Sequence, residues 1–267
     1  APYGLFYKGH LPQKEKVSVA IVGSRRVSHE GRALAQRFGK ELAEHGIEVV
    51  SGLALGVDIA AQRGAMEVPC GKTFSVLGNG VDICYPAQHI EEYMRMQQYG
   101  GVLSEFPLNA PSMPYHFPMR NRIISGLSDG ILVIEAKKGS GSLITADFAL
   151  EQGKEVFALP GRANDPLSGG CNRLIQGGAS LLLSPSDVLE FLGMKYERKL
   201  TIHKFSQNRL AKNENLVYAS VDSRPRYLEE IAALCGLSVT ECMEALLKLE
   251  LAGLVFGTGN QYYKKAE

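Results

Sequence analysis

Five short segments of this chain gather the residue types that hold phosphates and bases. The run Gly23-Ser24-Arg25-Arg26-Val27-Ser28 follows an apolar stretch and precedes a helical one, the place where a Rossmann dinucleotide site carries GxGxxG. Its third position is Arg25 rather than glycine. A guanidinium there keeps a pyrophosphate off the backbone but can grip a single phosphate through two parallel hydrogen bonds. On position alone, a surface ion pair is an equal reading. SGLALGVD (51–58) sets Ser51, Gly52 and Gly56 beside a helix start, with Asp58 in the first turn, where the helix dipole favours a carboxylate and a structural role is expected. LGNGVDICYP (77–86) offers Gly78, Asn79 and Gly80, whose small side chains let a ligand approach the backbone.

The fourth segment is a proline-rich loop followed by Tyr115, His116, Phe117, Arg120, Asn121 and Arg122. Aromatic rings interleaved with arginine suit base stacking and phosphate contact on a single strand. The competing expectation is that Phe117 belongs to the core and that at least one of Arg120 and Arg122 bonds internally. The fifth, EAKKGSGSLITADFALEQGK (135–154), brings Lys137, Ser140, Gly141 and Ser142 to a helix N-terminus, an anion cradle by location. Alternatively, Ser142 is a plain N-cap and Lys137 and Lys138 are solvated charges. There is no GxSxG, HExxH or Walker lysine motif, and Asp58, Glu105 and Glu135 are the carboxylates at strand ends. Binding without catalysis, cofactor or metal is the expectation.

To converge, these segments must share one edge of one sheet. Apolar β-branched runs alternate with amphipathic stretches, which predicts an α/β fold, an extended Rossmann-like, doubly wound and mostly parallel sheet. Strands are expected at 17–23, 47–53, 72–78, 101–106, 130–136, 155–161 and 180–184. The clearest helix is 29–46, with Ser28 as N-cap and Gly46 as its stop. After Gly193 the pattern breaks into a polar stretch with six basic residues at 195, 198, 199, 204, 209 and 212, which reads as a linker. Three helical stretches and a hairpin turning at 257–260 then predict a small winged helix. The expected organisation is an extended Rossmann-like domain over 1–194, a basic linker over 195–212 and a winged-helix domain over 213–267.

Composition is that of an ordinary globular protein, 45% hydrophobic and 21% charged. The 29 Lys and Arg nearly balance the 28 Asp and Glu, so a nucleic-acid site must be a local patch. The five cysteines form no CxxC pair, which predicts reduced thiols in a cytoplasmic protein rather than disulfides or a zinc site. No stretch reads as a signal peptide or membrane span, and the missing initiator Met suggests a start inside a longer natural chain.

VAIVGSR, SGLALGVD, VLGNGVDICYP, HFPMRNRIISGLS, SGSLITADFALEQGKEVFALPG and NRLIQGGA resemble, in order and spacing, the DNA processing protein A (DprA/Smf) family over about residues 1–193. The resemblance implies a Rossmann-type core that binds single-stranded DNA without sequence preference, forms a homodimer, and loads RecA recombinase past single-strand binding protein during natural transformation. It also implies Arg25 as the main phosphate contact, Phe117 as the base-stacking residue, Gly78, Asn79 and Gly80 as the turn lining that pocket, and Ser140 with Gly141 as the SGS loop. With Ser24, Ser51, Gly52, Arg120, Asn121, Lys137 and Ser142 they complete the expected DNA-binding set. Relatives often carry a basic residue shortly before FPxRN, whereas Ser112, Met113, Pro114 and Tyr115 stand here; His116 or Lys137 could substitute. APYGLFYKGH would be the remnant of an N-terminal helical domain, and Leu174 to Leu192 the dimer surface. The third helix of the winged helix carries Glu241, Glu244 and Glu250 against Lys248, which favours protein contact over major-groove reading. Lys264 and Lys265 leave a minor DNA contribution.

Two other classes compete. A cytokinin-activating phosphoribohydrolase would share the core but needs a PGGxGTxxE-like motif, which KKGSGSLITADFAL does not supply. A ligand-sensing transcription regulator would need a recognition helix less acidic than this one.

Overall fold

The structure is a computed structural model that describes residues 1–194, 211–222, 224–259 and 261–265. The chain divides into two compact units, Ala1–Tyr196 and Glu197–Glu267.

In the first unit, chain order runs β1 (Phe6–Gly9), β2 (Ser18–Val22), α1 (His29–Glu44), β3 (Glu48–Ser51), α2 (Val57–Met66), β4 (Thr73–Val76), α3 (Ile90–Tyr99), β5 (Gly100–Ser104), α4 (His116–Gly126) and β6 (Gly130–Val133). It continues with α5 (Gly141–Glu151), β7 (Glu155–Ala158), α6 (Gly169–Gln176), β8 (Ser180–Leu181) and α7 (Pro185–Phe191). The strands form one sheet in the order β1-β5-β4-β3-β2-β6-β7-β8. All neighbours are parallel except β1, which runs antiparallel to β5 with Phe6 opposite Ser104 and Gly9 opposite Gly101. This is the α/β, Rossmann-like sheet that the alternation predicts. The segment expected as a remnant of a helical domain is instead its edge strand.

The runs in β2, β3 and β6 are apolar at successive positions because both faces are covered. Val19, Ile21, Val49, Leu132 and Ile134 pack on one side with Phe38 and Leu42 of α1. Ala20, Val22, Val50, Ile131 and Val133 pack on the other with Ile123 and Ile124 of α4 and Ala146 of α5. Ser28 caps α1 as expected, its hydroxyl accepting from the Gly31 N–H at 2.9 Å, and Gly46 follows the helix at φ +77°. The chain winds outward from β2 to β5 and then restarts at β6, on β2's other side. The switch point therefore lies between β2 and β6, where a crevice opens at the carboxyl ends of the strands.

The second unit contains α8 (Lys212–Ser220), β9 (Arg226–Tyr227), α9 (Leu228–Cys235), α10 (Val239–Leu251), β10 (Val255–Gly259) and β11 (Tyr262–Lys265). Its sheet runs β10-β11-β9. Val217, Leu228, Ile231, Cys242, Leu246, Leu249 and Val255 form a separate core. The architecture is a winged helix. Of the expected linker, 195–210 lies outside the described residues, as does Asn260 in the expected hairpin turn.

Candidate nucleic-acid interface

At the switch point lies a cleft of about 700 Å³. Its walls come from three places: Gly23 to Arg26 after β2, the start of α4 at Phe117 and Pro118 with Tyr85 beside it, and Lys137 to Ser142 leading into α5. Their convergence follows from topology, since parallel neighbours deliver their carboxyl-end turns to one edge.

The Gly23–Ser28 turn is held at both ends. Ser24 N–H donates to the Glu135 carbonyl at 2.7 Å and the Ser24 carbonyl accepts from Val57 N–H at 3.2 Å. The Ser28 N–H donates to the Glu135 carboxylate at 2.8 Å, and the Ser28 hydroxyl donates to the other carboxylate oxygen. Glu135 thus sits at the N-terminus of α1, the position a pyrophosphate takes in a dinucleotide site. Arg25 is exposed between these anchors, and its guanidinium carbon lies 5.2 Å from the centre of the Phe117 ring.

Phe117 is half-buried, flanked by Tyr85 at a centroid distance of 5.6 Å and a tilt of 34°. Gly78 lies beneath the ring, where a Cβ would come within 2.9 Å of Phe117 Cδ1; the glycine makes the seat. Lys137, Lys138 and Gly141 are exposed on the opposite wall. Ser140 stands at the N-cap of α5 without capping it, its hydroxyl facing that of Ser142 at 2.9 Å. The helix therefore presents its positive end to the cleft. The charged lining residues are Arg25, Arg26, Arg120, Lys137 and Lys138 against Asp58, a basic focus in a chain whose net charge is +1.

Of the expected residues, Ser24, Arg25, Phe117, Lys137, Ser140, Gly141, Ser142 and Asn121 meet in this cleft. Arg120 also reaches it, but is only 4% exposed and donates to the carbonyls of Gly52, at 3.0 Å, and Val76. Burial pushes its guanidinium down to about 10, with Asp58 opposing and Arg25 adding to the fall; at neutral pH it stays charged. Asp58 accepts from the Gly52 N–H at 3.1 Å. Burial raises its carboxyl above the ordinary range, and Arg120 opposes that. The two compensate one another beneath the cleft floor. Asn121 braces α5 by donating to the Gly141 carbonyl at 3.2 Å.

Ser51, Gly52, Asn79 and Gly80 serve the frame rather than the cleft wall. The Ser51 hydroxyl donates to the Ile21 carbonyl at 2.6 Å. The Asn79 amide donates to the carbonyls of Gly80 and Ile83, at 2.9 and 2.7 Å. Arg122 pairs with Glu105 at 2.5 Å, which accounts for that strand-end carboxylate. His116 is not among the residues that line the cleft. It is buried, stacked on Phe106 at 3.9 Å with Nδ1 3.0 Å from the Gly78 carbonyl, whereas Lys137 is in the cleft. Sequence reasoning passed over Tyr85, Arg26 and the role of Glu135. An aromatic next to a small-residue turn was the available signal for Tyr85; Glu135 had none beyond its place at a strand end. Among the described residues no group of three or more His, Cys, Asp or Glu is placed to hold a metal ion.

Comparison with known proteins agrees with this fold. A family model described as DNA recombination-mediator protein A matches residues 1–193, and one described as DprA winged helix domain matches 204–257. Protein Smf of Escherichia coli is 40% identical over 269 residues, covering 98% of this chain and 72% of that protein. The X-ray structure of DNA processing protein A from Streptococcus pneumoniae superposes with a TM-score of 0.65 at 44% identity, covering 70% of this chain and 65% of that one. The chain thus spans just under two thirds of its pneumococcal relative. DNA processing protein A from Helicobacter pylori, described for its single-stranded DNA binding mode, superposes with a TM-score of 0.64 at 31% identity, over 72% of this chain and 87% of that one.

Proposed function

The chain belongs to the DNA recombination-mediator protein A family, and we propose that it binds single-stranded DNA in the switch-point cleft and presents the strand to a recombinase. The observation that carries this reading is the stack of the Arg25 guanidinium over the Phe117 ring at 5.2 Å, facing a lysine-bearing helix N-terminus. Arg25 grips a phosphate through paired hydrogen bonds. Phe117, with Tyr85 beside it, offers its ring to a base, which every base can use because each has a π face. Lys137 and Lys138 follow the backbone, and the open end of α5 adds backbone N–H groups to the same anion.

Such a site selects single strands on energetic grounds. In a duplex the bases are already stacked, and extruding one costs a few kcal/mol; in a single strand that cost is largely absent. Sequence preference is weak because stacking and phosphate contact read no base edges. The protein acts by holding rather than by chemistry. Two copies pairing through roughly Leu174 to Leu192, where Leu181, Leu183 and Phe191 are 47%, 65% and 49% exposed, put two clefts on one strand and gain avidity. RecA then loads onto the held strand past single-strand binding protein, in the cytoplasm, during natural transformation.

The test is a salt titration of fluorescent poly-dT against a duplex of equal length. Phe117→Ala should weaken poly-dT binding by about 1–3 kcal/mol, the range for a stacking contact, and Arg25→Ala should weaken it through the lost phosphate contact. Arg25→Ala should also flatten the slope of log affinity against log salt by about 0.7 for one lost phosphate. Equal binding of duplex, or no effect of either substitution, would place the DNA elsewhere.

A further inference from the structure

Arg25 owes its place over Phe117 to a turn, and that turn has its own anchor. Both ends of Gly23–Ser28 lead to Glu135: the Ser24 N–H meets its carbonyl, and the Ser28 N–H and hydroxyl meet its two carboxylate oxygens. Glu135 holds this pose at φ +57°, a left-handed conformation that costs a non-glycine residue free energy and persists only where the surroundings enforce it. The carboxylate also sits in a notch left open by Gly31. A Cβ at Gly31 would lie 2.5 Å from both Glu135 Cδ and Oε1, closer than such atoms can approach. Strain, double anchoring and a fitted notch converge on a side chain that lines no part of the DNA cleft.

We propose that Glu135 is a positioning residue for DNA binding: its carboxylate, seated against Gly31 and bonded to Ser28, fixes the turn that holds Arg25 over Phe117. The idea rests on the reading of Arg25 as the phosphate contact. With the carboxylate displaced, the Ser28 end of the turn loses its two bonds, and Arg25 must be ordered anew each time a strand binds. Binding then pays the ordering cost that the free protein has otherwise already met.

Gly31→Ala gives the discriminating test. Alanine is the better helix former at this position within α1, and the atoms its Cβ meets, the Glu135 carboxylate and Val27 Cγ2 at 2.9 Å, belong to side chains rather than to backbone, so folding is preserved. Poly-dT binding and thermal melting would be measured for the wild type, Gly31→Ala, Glu135→Ala, Glu135→Gln, Arg25→Ala and Arg25→Ala/Gly31→Ala. We expect Gly31→Ala and Glu135→Ala to weaken poly-dT binding several-fold, with Gly31→Ala melting no lower than the wild type. Glu135→Gln, which still offers an oxygen to Ser28, recovers part of the loss. In the double variant, Gly31→Ala adds nothing to Arg25→Ala, because its effect acts through that residue. If Arg25→Ala is impaired while Gly31→Ala and Glu135→Ala bind normally, or if the losses add in the double variant, the positioning role is overturned and the phosphate reading survives. If Arg25→Ala binds normally, the phosphate reading itself has failed, and the role of Glu135 falls with it.

Discussion

At the scale of single residues, type and spacing identified what reaches the cleft but not which way each side chain faces. Arg25 and Phe117 stand out because an arginine replaces the expected glycine and an aromatic opens a helix. Arg120 follows Phe117 by three positions, and sequence alone cannot say that this step carries its guanidinium under the sheet edge to the Gly52 and Val76 carbonyls. The same blindness applies to Ser51 and Asn79, whose polar groups close backbone bonds. Burial likewise sorts the cysteines. A thiol reacts as its thiolate, and burial pushes Cys171 up to about 12 and Cys242 up to about 11, with Cys235 adding to the latter. Cys70 is exposed. Iodoacetamide at pH 7.5 should therefore modify Cys70 first and leave Cys171 and Cys242 unmodified until the protein is denatured, as read by peptide mass spectrometry. Early modification of Cys171 would contradict the packing of α6 against the sheet.

At the scale of elements, the parallel strands were legible because burial on both faces writes consecutive apolar residues into the chain. The edge strand β1 was not. Phe6 and Tyr7 are 44% and 52% exposed, and β1 exists through pairing with β5, far away in sequence. The contact of α1 with α2 was also hidden, since it depends on absent atoms. A Cβ at Gly64 would lie 1.9 Å from the Gln36 carbonyl oxygen, and one at Gly39 would lie 2.0 Å from that of Ala61. Two helices can approach this closely only through glycine, and the approach fixes α2, whose first turn carries Asp58 beneath the cleft. Gly64→Ala gains helix propensity of about 1 kcal/mol but drives a methyl into backbone, where overpacking costs about 1–3 kcal/mol or more. The net effect should be a lower melting temperature, by roughly 2–4 °C per kcal/mol for a unit of this size. A rise in melting temperature would mean that the helices can part without loss.

At the scale of the whole molecule, charge favours one unit over the other as the proposed DNA contact. Net charge is nearly zero and says nothing by itself; its distribution does. The cleft, with the cationic Arg25, Arg26, Lys137 and Lys138 above the buried Arg120 and Asp58, lies wholly within the first unit. In the second, Glu229, Glu230, Glu241, Glu244 and Glu250 are exposed along α9 and α10 beside Lys248. A recognition helix of that sign entering a major groove would face one phosphate charge per about 1.7 Å of duplex, and no base contact of about 1–3 kcal/mol offsets several such repulsions. Each unit has its own core, so the two can be produced and assayed apart. Residues 1–194 should bind poly-dT within about twofold of the full chain and with the same salt slope. Residues 213–267 should show no salt-dependent binding to duplex. The opposite pattern, with duplex affinity in the winged helix and a loss in the first unit, would mean that Lys264 and Lys265 on the wing outweigh the acidic helices, moving the DNA contact off the switch-point cleft.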